Sequence, residues 1–306
     1  MAIPTSRSNE PATILIDQEK CNGCGLCVDI CKDFSLKIVN KKVALNDLPK
    51  FGCIGCGHCM AICPQDAIKI EGRFISEEDL IELPEAEEAA SYESLTNLMK
   101  RRRSTRVFKD KAVDHDLILK ILEAAQTAPM GIPPSDVNVL VMEGKDKVFE
   151  FSKDYAQFLK GMRWMSSKVF LTLMRPFLGK ATSDLFKNFL RPLFDCYIDE
   201  MSYGNDLITY DAPVALYFYG SSYCDPADPI IAATYAMHAA ESMGLGTCML
   251  GAIHPMIQNG SPAKRFREKY NIRYKSREGI VLILGYSKYK FKYGIKRTFA
   301  NIDFLN

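Results

Sequence analysis

Eight cysteines in two blocks of identical spacing constrain this chain more than any other feature. CNGCGLCVDICK carries Cys21, Cys24, Cys27 and Cys31, and CIGCGHCMAICP carries Cys53, Cys56, Cys59 and Cys63; both read C-x2-C-x2-C-x3-C. In an exported protein such a count would suggest disulfides. The N-terminus, MAIPTSRSNEPATILI, has no long apolar core of the signal-peptide kind, so metal ligation is the stronger reading. Short loops set three thiolates around one corner of a cubane, and a following helical turn carries the fourth to the other cluster. This assigns Cys21, Cys24, Cys27 and Cys63 to one 4Fe–4S cluster, and Cys53, Cys56, Cys59 and Cys31 to a second. Zinc ribbons use paired C-x2-C units, which leaves the third and fourth cysteines of each block surplus. Gly23, Gly25, Gly55 and Gly57 permit tight turns that aim N–H groups at sulfur. Cys196, Cys224 and Cys248 are scattered and read as packed or local thiols.

The duplication resembles bacterial-type two-cluster ferredoxins from about Ile14 to Glu71. Pro64 after the second block fits that pattern, and Lys32 after the first departs from it. TILIDQ and AIKIEG are expected to pair as edge strands, and LKIVNKKVAL to form a hairpin turning at Asn40-Lys41. The two-cluster domain is therefore assigned to residues 1–75. A charged linker, 76–93, follows, with an acidic run that reads as a solvated connector interrupted at Pro84.

A chain of 306 residues with 47% hydrophobic and 25% charged residues has room for a second domain with a proper core. A net charge of +2 gives no electrostatic case for nucleic acid. No run of about 18 apolar residues suggests a membrane-spanning helix, so the expected location is cytoplasmic. From residue 94 to 306 the pattern mixes helices and strands. LTNLMKRRRSTRVF ends an apolar-spaced helix in a basic turn, and DHDLILKILEAAQTAP is one helical face begun by Asp114 or Asp116. VNVLVME, APVALYFYG and GIVLILGY are buried-strand candidates. The fold class is α+β, a central sheet flanked by helices behind the ferredoxin-like domain.

Five cations in seven positions, Lys100 to Arg106, suit a solvated helix end; Ser104 and Arg106, just past that end, also suit a phosphate. RRRSTRVF resembles the Arg-x-Ser-x-Arg entry of the FMN-dependent nitroreductase family, followed in order by AAQTAPMG and HAAESMGLGTCMLG. The resemblance runs from about Ser94 to Arg297. It implies FMN held by Arg102, Arg103, Ser104 and Arg106, with Pro129, Met130, Gly131 and Ser135 beside the flavin. It also implies that Gly244, Leu245 and Gly246 bring backbone N–H groups near the ring, and that Lys296 and Arg297 return to the phosphate. The alternative for the last pair is an exposed basic tail. One departure is the stretch Met130 to Ser135, where Pro133, Pro134 and the Ser135 hydroxyl stand in place of the family's amide donors. The family further implies a homodimer with FMN at the subunit interface.

Between about residues 154 and 203 lies a basic, aromatic insert divided by Pro176 and Pro192. It reads as a lid or dimer arm over the flavin, with plain core filling as an alternative; membrane-surface attachment is less favoured. His115, His238 and His254 are given no catalytic role. The expected protein is an FMN oxidoreductase of anaerobic metabolism. Electrons from a ferredoxin-type donor would pass through two 4Fe–4S clusters to FMN and on to a small organic acceptor, nitroaromatics included. The alternatives are an NAD(P)H-fed reductase that exports electrons, or a non-catalytic module of a larger redox complex. Anaerobically purified protein is expected to carry about eight irons per chain with matching sulfide, measured by colorimetric iron and sulfide analysis; stoichiometric zinc would refute the cluster assignment.

Overall fold

The computed structural model describes residues 11–131 and 135–305. The first ten residues and Ile132–Pro134 lie outside the described residues, as do the side chains of Met165, Ser166, Lys168 and residues 171–178.

In the cysteine-rich unit, β1 (Thr13–Ile16) pairs antiparallel with β4 (Ile68–Glu71), joining the start of the unit to its end. β2 (Leu36–Val39) and β3 (Lys42–Leu45) form the hairpin, with Asn40 and Lys41 both left-handed at φ 49° and 63°. Two positive φ values are what a two-residue turn needs to match strand twist, and asparagine tolerates the first. α1 (Leu26–Ile30) and α2 (His58–Ala61) are single turns, each launched by a glycine at positive φ, Gly25 and Gly57. Ile14, Leu36, Val43, Met60, Ile68 and Ile70 pack with the cysteines into one small core. The linker forms two exposed 3-10 turns, Glu77–Asp79, capped by Ser76, and Ala86–Glu88.

The second unit is built on one antiparallel sheet. β5 (Val137–Glu143), β6 (Val214–Gly220), β7 (Gly246–Leu250) and β8 (Gly279–Gly285) take the order β5-β6-β8-β7. Alternation along the strands separates two cores. Ala215, Tyr217, Val281, Ile283 and Cys248 meet α5 (Lys145–Met162), α7 (Arg191–Ser202) and α9 (Ser261–Lys269). Val214, Leu216, Phe218, Leu282 and Leu284 meet α4 (His115–Gln126) and α8 (Asp228–Ser242). Burial on both faces explains why VALYFYG reads as an unbroken apolar run. VNVLVME is an edge strand and only partly buried. Of the two acids at the start of α4, Asp114 is the cap, accepting the Asp116 N–H at 3.0 Å.

The insert divides differently from expectation. α6 (Lys168–Leu185) runs through Pro176 and breaks at Gly179, whose φ of 74° and ψ of 165° lie outside helical space. A π turn, Phe186–Leu190, leads into α7, where Pro192 sits in the first turn and needs no backbone donor. Phe194 and Tyr197 of α7 belong to the core, as do Phe151, Tyr155 and Leu159 of α5. Trp164, Leu185 and Phe189 stay exposed. Ile121→Ala, at a fully buried site between α4 and the sheet, is expected to lower unfolding free energy by about 2–5 kcal/mol, checked by urea titration.

Candidate functional site

The cysteines fall into two electrostatic groups that cross between the halves. Burial pushes the Cys27 thiol up, with Cys24 and Cys63 adding to the shift. Burial pushes Cys59 up to about 12, with Cys53, Cys56 and Cys31 adding to the shift. Cys53 is raised by burial in the same way, beside Cys56 and Cys31. Cys21 is buried, and its carbonyl accepts from Lys42 Nζ. Thiolates gathered this closely repel one another until a cation compensates them. Among the described residues, no three His, Cys, Asp or Glu side chains close on a single point as a one-ion site does. The eight thiols of the two blocks fit the all-cysteine donor set of 4Fe–4S clusters.

The loops explain the grouping. A Cβ on Gly23 would lie 1.9 Å from the Lys41 carbonyl oxygen, so only glycine lets the hairpin turn press on the first loop. The Ala67 N–H points at Cys63 Sγ, 3.3 Å away. Asp33 is a residue that sequence reasoning missed. Its buried carboxylate accepts the N–H groups of Phe51 at 2.6 Å and Gly52 at 3.1 Å, and its carbonyl accepts that of Lys50. It thereby fastens the approach to Cys53 onto the segment after Cys31. The partners lie 18 and 19 residues away, which no local pattern reveals.

The basic turn and the glycine-rich turn meet at the β7 edge of the sheet. α3 (Tyr92–Arg101) ends with Arg102, whose N–H reaches the Leu98 carbonyl. Thr105 then donates its N–H to the Thr247 carbonyl at 2.8 Å, and Ser104 bridges Thr247 in parallel. A Cβ on Gly246 would sit 2.4 Å from Thr105 Oγ1, so the contact requires glycine. Glu241 Oε1 accepts both the backbone N–H of Thr247, at 3.0 Å, and its hydroxyl, at 2.6 Å. Burial raises the Glu241 carboxyl; the Thr247 bonds and Arg102 oppose that shift. His238 is lowered by burial and then by Arg102, and its buried Nδ1 has no hydrogen-bond partner among the described residues.

Two expectations change here. The N–H of Gly244 reaches the Glu241 carbonyl and that of Leu245 the Ala240 carbonyl. These bonds, with Gly244 at φ 82°, are the Schellman close of α8. Neither N–H is free for a ligand, although both residues line a cavity of about 430 Å³ with Arg103, Thr105, Gly246 and Gly294. Gly131 donates its N–H to Asp228 Oδ1 at 3.0 Å, so that donor is also engaged.

The remaining candidates are dispersed. Arg103 donates to the Arg102 carbonyl and crosses Gly294, where a Cβ would lie 2.0 Å from its Nη2. Arg106 lies over the Tyr210 ring at 5.8 Å, in a separate cavity of about 770 Å³. Pro129, Met130 and Ser135 line a third, of about 280 Å³, with Phe218 and Asp228. Lys296 and Arg297 are exposed on the tail. His254 is structural: it is buried, its Nδ1 lies 2.8 Å from the Tyr217 hydroxyl, and burial lowers its pKa.

A thiol-rich unit of two small antiparallel strand pairs, joined to a helix-flanked antiparallel sheet, defines an α+β protein with a ferredoxin-type N-terminus. Residues 99–286 match the nitroreductase family and residues 13–64 match the 4Fe-4S dicluster domain. The chain belongs to the nitroreductase family. Similar solved structures include an FMN-bound nitroreductase from Desulfitobacterium hafniense, at 19% identity, covering 69% of this chain and 97% of that one, TM-score 0.49. An FMN-bound nitroreductase from Bacteroides fragilis gives 15% identity, 69% and 98% coverage, and TM-score 0.49. An FMN-dependent nitroreductase from Clostridium difficile gives 20%, 68%, 99% and 0.41. Comparison with curated proteins finds no match.

Glu241→Ala removes the acceptor shared by the Thr247 N–H and hydroxyl, and is expected to cost about 1–3 kcal/mol in urea unfolding. Glu241→Gln retains an acceptor. Because the folded carboxyl titrates above its ordinary value, ionising it penalises the fold as pH rises from that value through the raised one. Stability of Glu241→Gln relative to wild type is therefore expected to increase over that window and level off above it.

Proposed function

We propose that this protein is an FMN-dependent iron–sulfur oxidoreductase, taking single electrons from a ferredoxin-type donor and reducing a small organic acceptor. The observation that carries the reading is the meeting of the basic and glycine-rich turns at one sheet edge, in the same chain as two crossed thiol groups. The eight cysteines of the two blocks hold two 4Fe–4S clusters. Arg102 and Ser104 would grip the FMN phosphate and ribityl chain, with Lys296 and Arg297 folding back to it; Arg106, on a separate hollow, would reach the cofactor only from the other side of the turn. Arg103 braces the turn against Gly294, and Gly246 keeps the strand edge close to Thr105. FMN, when bound, supplies the conversion between single electrons and the electron pair an organic acceptor takes.

The family resemblance favours a homodimer, in which Pro129, Met130 and Ser135 of one protomer, lining a cavity of their own, close the site of its partner. The exposed Trp164, Leu185 and Phe189 of the insert provide cover that excludes water from an apolar acceptor. A cytoplasmic protein of anaerobic metabolism fits this reading. No helix among the described residues is long and apolar enough to cross a membrane.

The test is anaerobic. Reduced ferredoxin, then NAD(P)H, is mixed with the loaded protein while flavin bleaching and acceptor consumption are followed. Ferredoxin-driven bleaching with turnover of a nitroaromatic acceptor is expected. Bleaching by NAD(P)H alone would replace the donor, and bleaching without turnover of any acceptor would make the chain an electron-transfer module. Arg102→Ala with Ser104→Ala removes two phosphate donors and is expected to weaken FMN binding about 10–100-fold at unchanged iron content, read from flavin fluorescence after ultrafiltration.

A further inference from the structure

Three phenylalanines stand exposed around the second thiol group, where a small domain short of apolar residues would be expected to bury them. Phe34, Phe51 and Phe74 are 54%, 57% and 84% exposed, with Leu48 beside them in sequence at 83%. Phe34 follows Cys31 by three residues, and Phe51 precedes Cys53 by two. Asp33 hydrogen-bonds the Phe51 N–H, and Asn46 Nδ2 reaches the Phe34 carbonyl at 2.7 Å, so these two loops form one surface. Phe74 belongs to the turn that lies on the second cysteine loop. A Cβ on Gly55 would meet Arg73 Cβ at 3.3 Å, and one on Gly57 would meet Ile75 Cδ1 at 2.8 Å. Phe34 and Phe74 are also held left-handed, at φ 60° and 61°. That conformation is unfavourable for a bulky side chain and points to a functional reason for keeping it.

A cation precedes each ring: Lys32 before Phe34, Lys50 before Phe51 and Arg73 before Phe74. The acids of the Phe34 and Phe51 loops are engaged, whereas the Phe74 turn has the exposed Glu71 on one side and Glu77, paired with Lys69 at 2.5 Å, on the other. Asp33 is buried beneath backbone N–H groups, and Asp47 pairs with Lys37 at 2.6 Å. An apolar centre with Lys32 and Lys50 on the rim beside Phe34 and Phe51 matches a small acidic protein with an apolar face of its own. Transient redox encounters use small interfaces steered by charge.

We propose that Phe34, Phe51 and Phe74, with Lys32 and Lys50, form the docking face on which an acidic one-electron carrier protein passes electrons to the Cys31/Cys53/Cys56/Cys59 group. The assignment deepens the proposed function and rests on its donor reading. Each docking event oxidises the carrier by one electron and reduces the iron held by that thiol group by one. No bond is made or broken, and two events supply an electron pair.

The test mixes the anaerobic holoprotein with a reduced acidic two-cluster ferredoxin in stopped flow. Phe34→Asn with Phe74→Asn places asparagine where left-handed backbone is tolerated, so thermal stability and iron content are expected to hold or rise. The second-order rate of ferredoxin oxidation is expected to fall at least tenfold, while reduction by dithionite is unchanged. Lys32→Glu with Lys50→Glu is expected to slow the same step and to abolish its decline with added salt. Variants that oxidise ferredoxin at the wild-type rate would overturn the proposal, as would a wild type that exchanges no electrons with ferredoxin in either direction. So would variants that turn a dimer into a monomer, since the face would then belong to a second copy. If wild type instead takes electrons from NAD(P)H and delivers them to oxidised ferredoxin, with the same sensitivity to these variants, the docking face stands and the donor reading fails.

Discussion

The crossing of the two cysteine sets is the constraint on which the N-terminal unit depends. Cys63 stands with the first-block thiols and Cys31 with the second-block thiols, so neither block completes its group alone. The strand pairing serves that crossing. β1 and β4 bring the two ends of the unit together, while Asp33 fastens the segment after one block to the approach of the other. The apolar core is small and its members pack directly on cysteines. In a unit of this size, bound iron would contribute folding free energy as well as redox chemistry, because buried thiolates left uncompensated oppose compaction.

What could be read from the sequence follows the range of the interaction. The Asn40-Lys41 hairpin, the Asp114 cap and the three strand runs are local patterns, and each is present where its residues indicate. β7 was hidden because GLGTC reads as a loop. Its first glycine closes α8 at positive φ, and the strand begins only at Gly246, whose close neighbour Thr105 is distant in sequence. The break in α6 was sought at Pro176 and falls at Gly179. A proline removes one donor, whereas φ of 74° turns the chain out of helical space altogether. Asp33 and Glu241 escaped notice for a shared reason: each acts through backbone N–H groups that only the folded chain brings near.

The sheet assigns its two edges different tasks. β5 is half-buried and closes one side, while β7 is extended by the Ser104–Thr247 bridge. A basic segment placed on a strand edge has its backbone restrained by pairing, and its alternate side chains diverge. Thr105 turns towards Gly246, and Arg103 lines the same cavity. Arg102 influences Glu241 and His238, and Arg106 opens on a different hollow. A cluster of cations that looks uniform in sequence is thereby sorted into bracing and presenting positions. The Glu241 carboxylate supports the arrangement from below, since Thr247 receives it through two donors while offering its own carbonyl to Thr105.

The insert shows how a segment of one composition can hold two roles. α7 lays Phe194 and Tyr197 into the core shared with α5, and Asp195 pairs with Arg163 at 2.9 Å, tying the end of α5 to that helix. Helices anchored in this way cannot swing as a lid without exposing the core. Between those anchors lie the Gly179 break and the π turn at Phe186–Leu190. A glycine outside helical space and a widened helical turn are the two places where a helix bends at low cost.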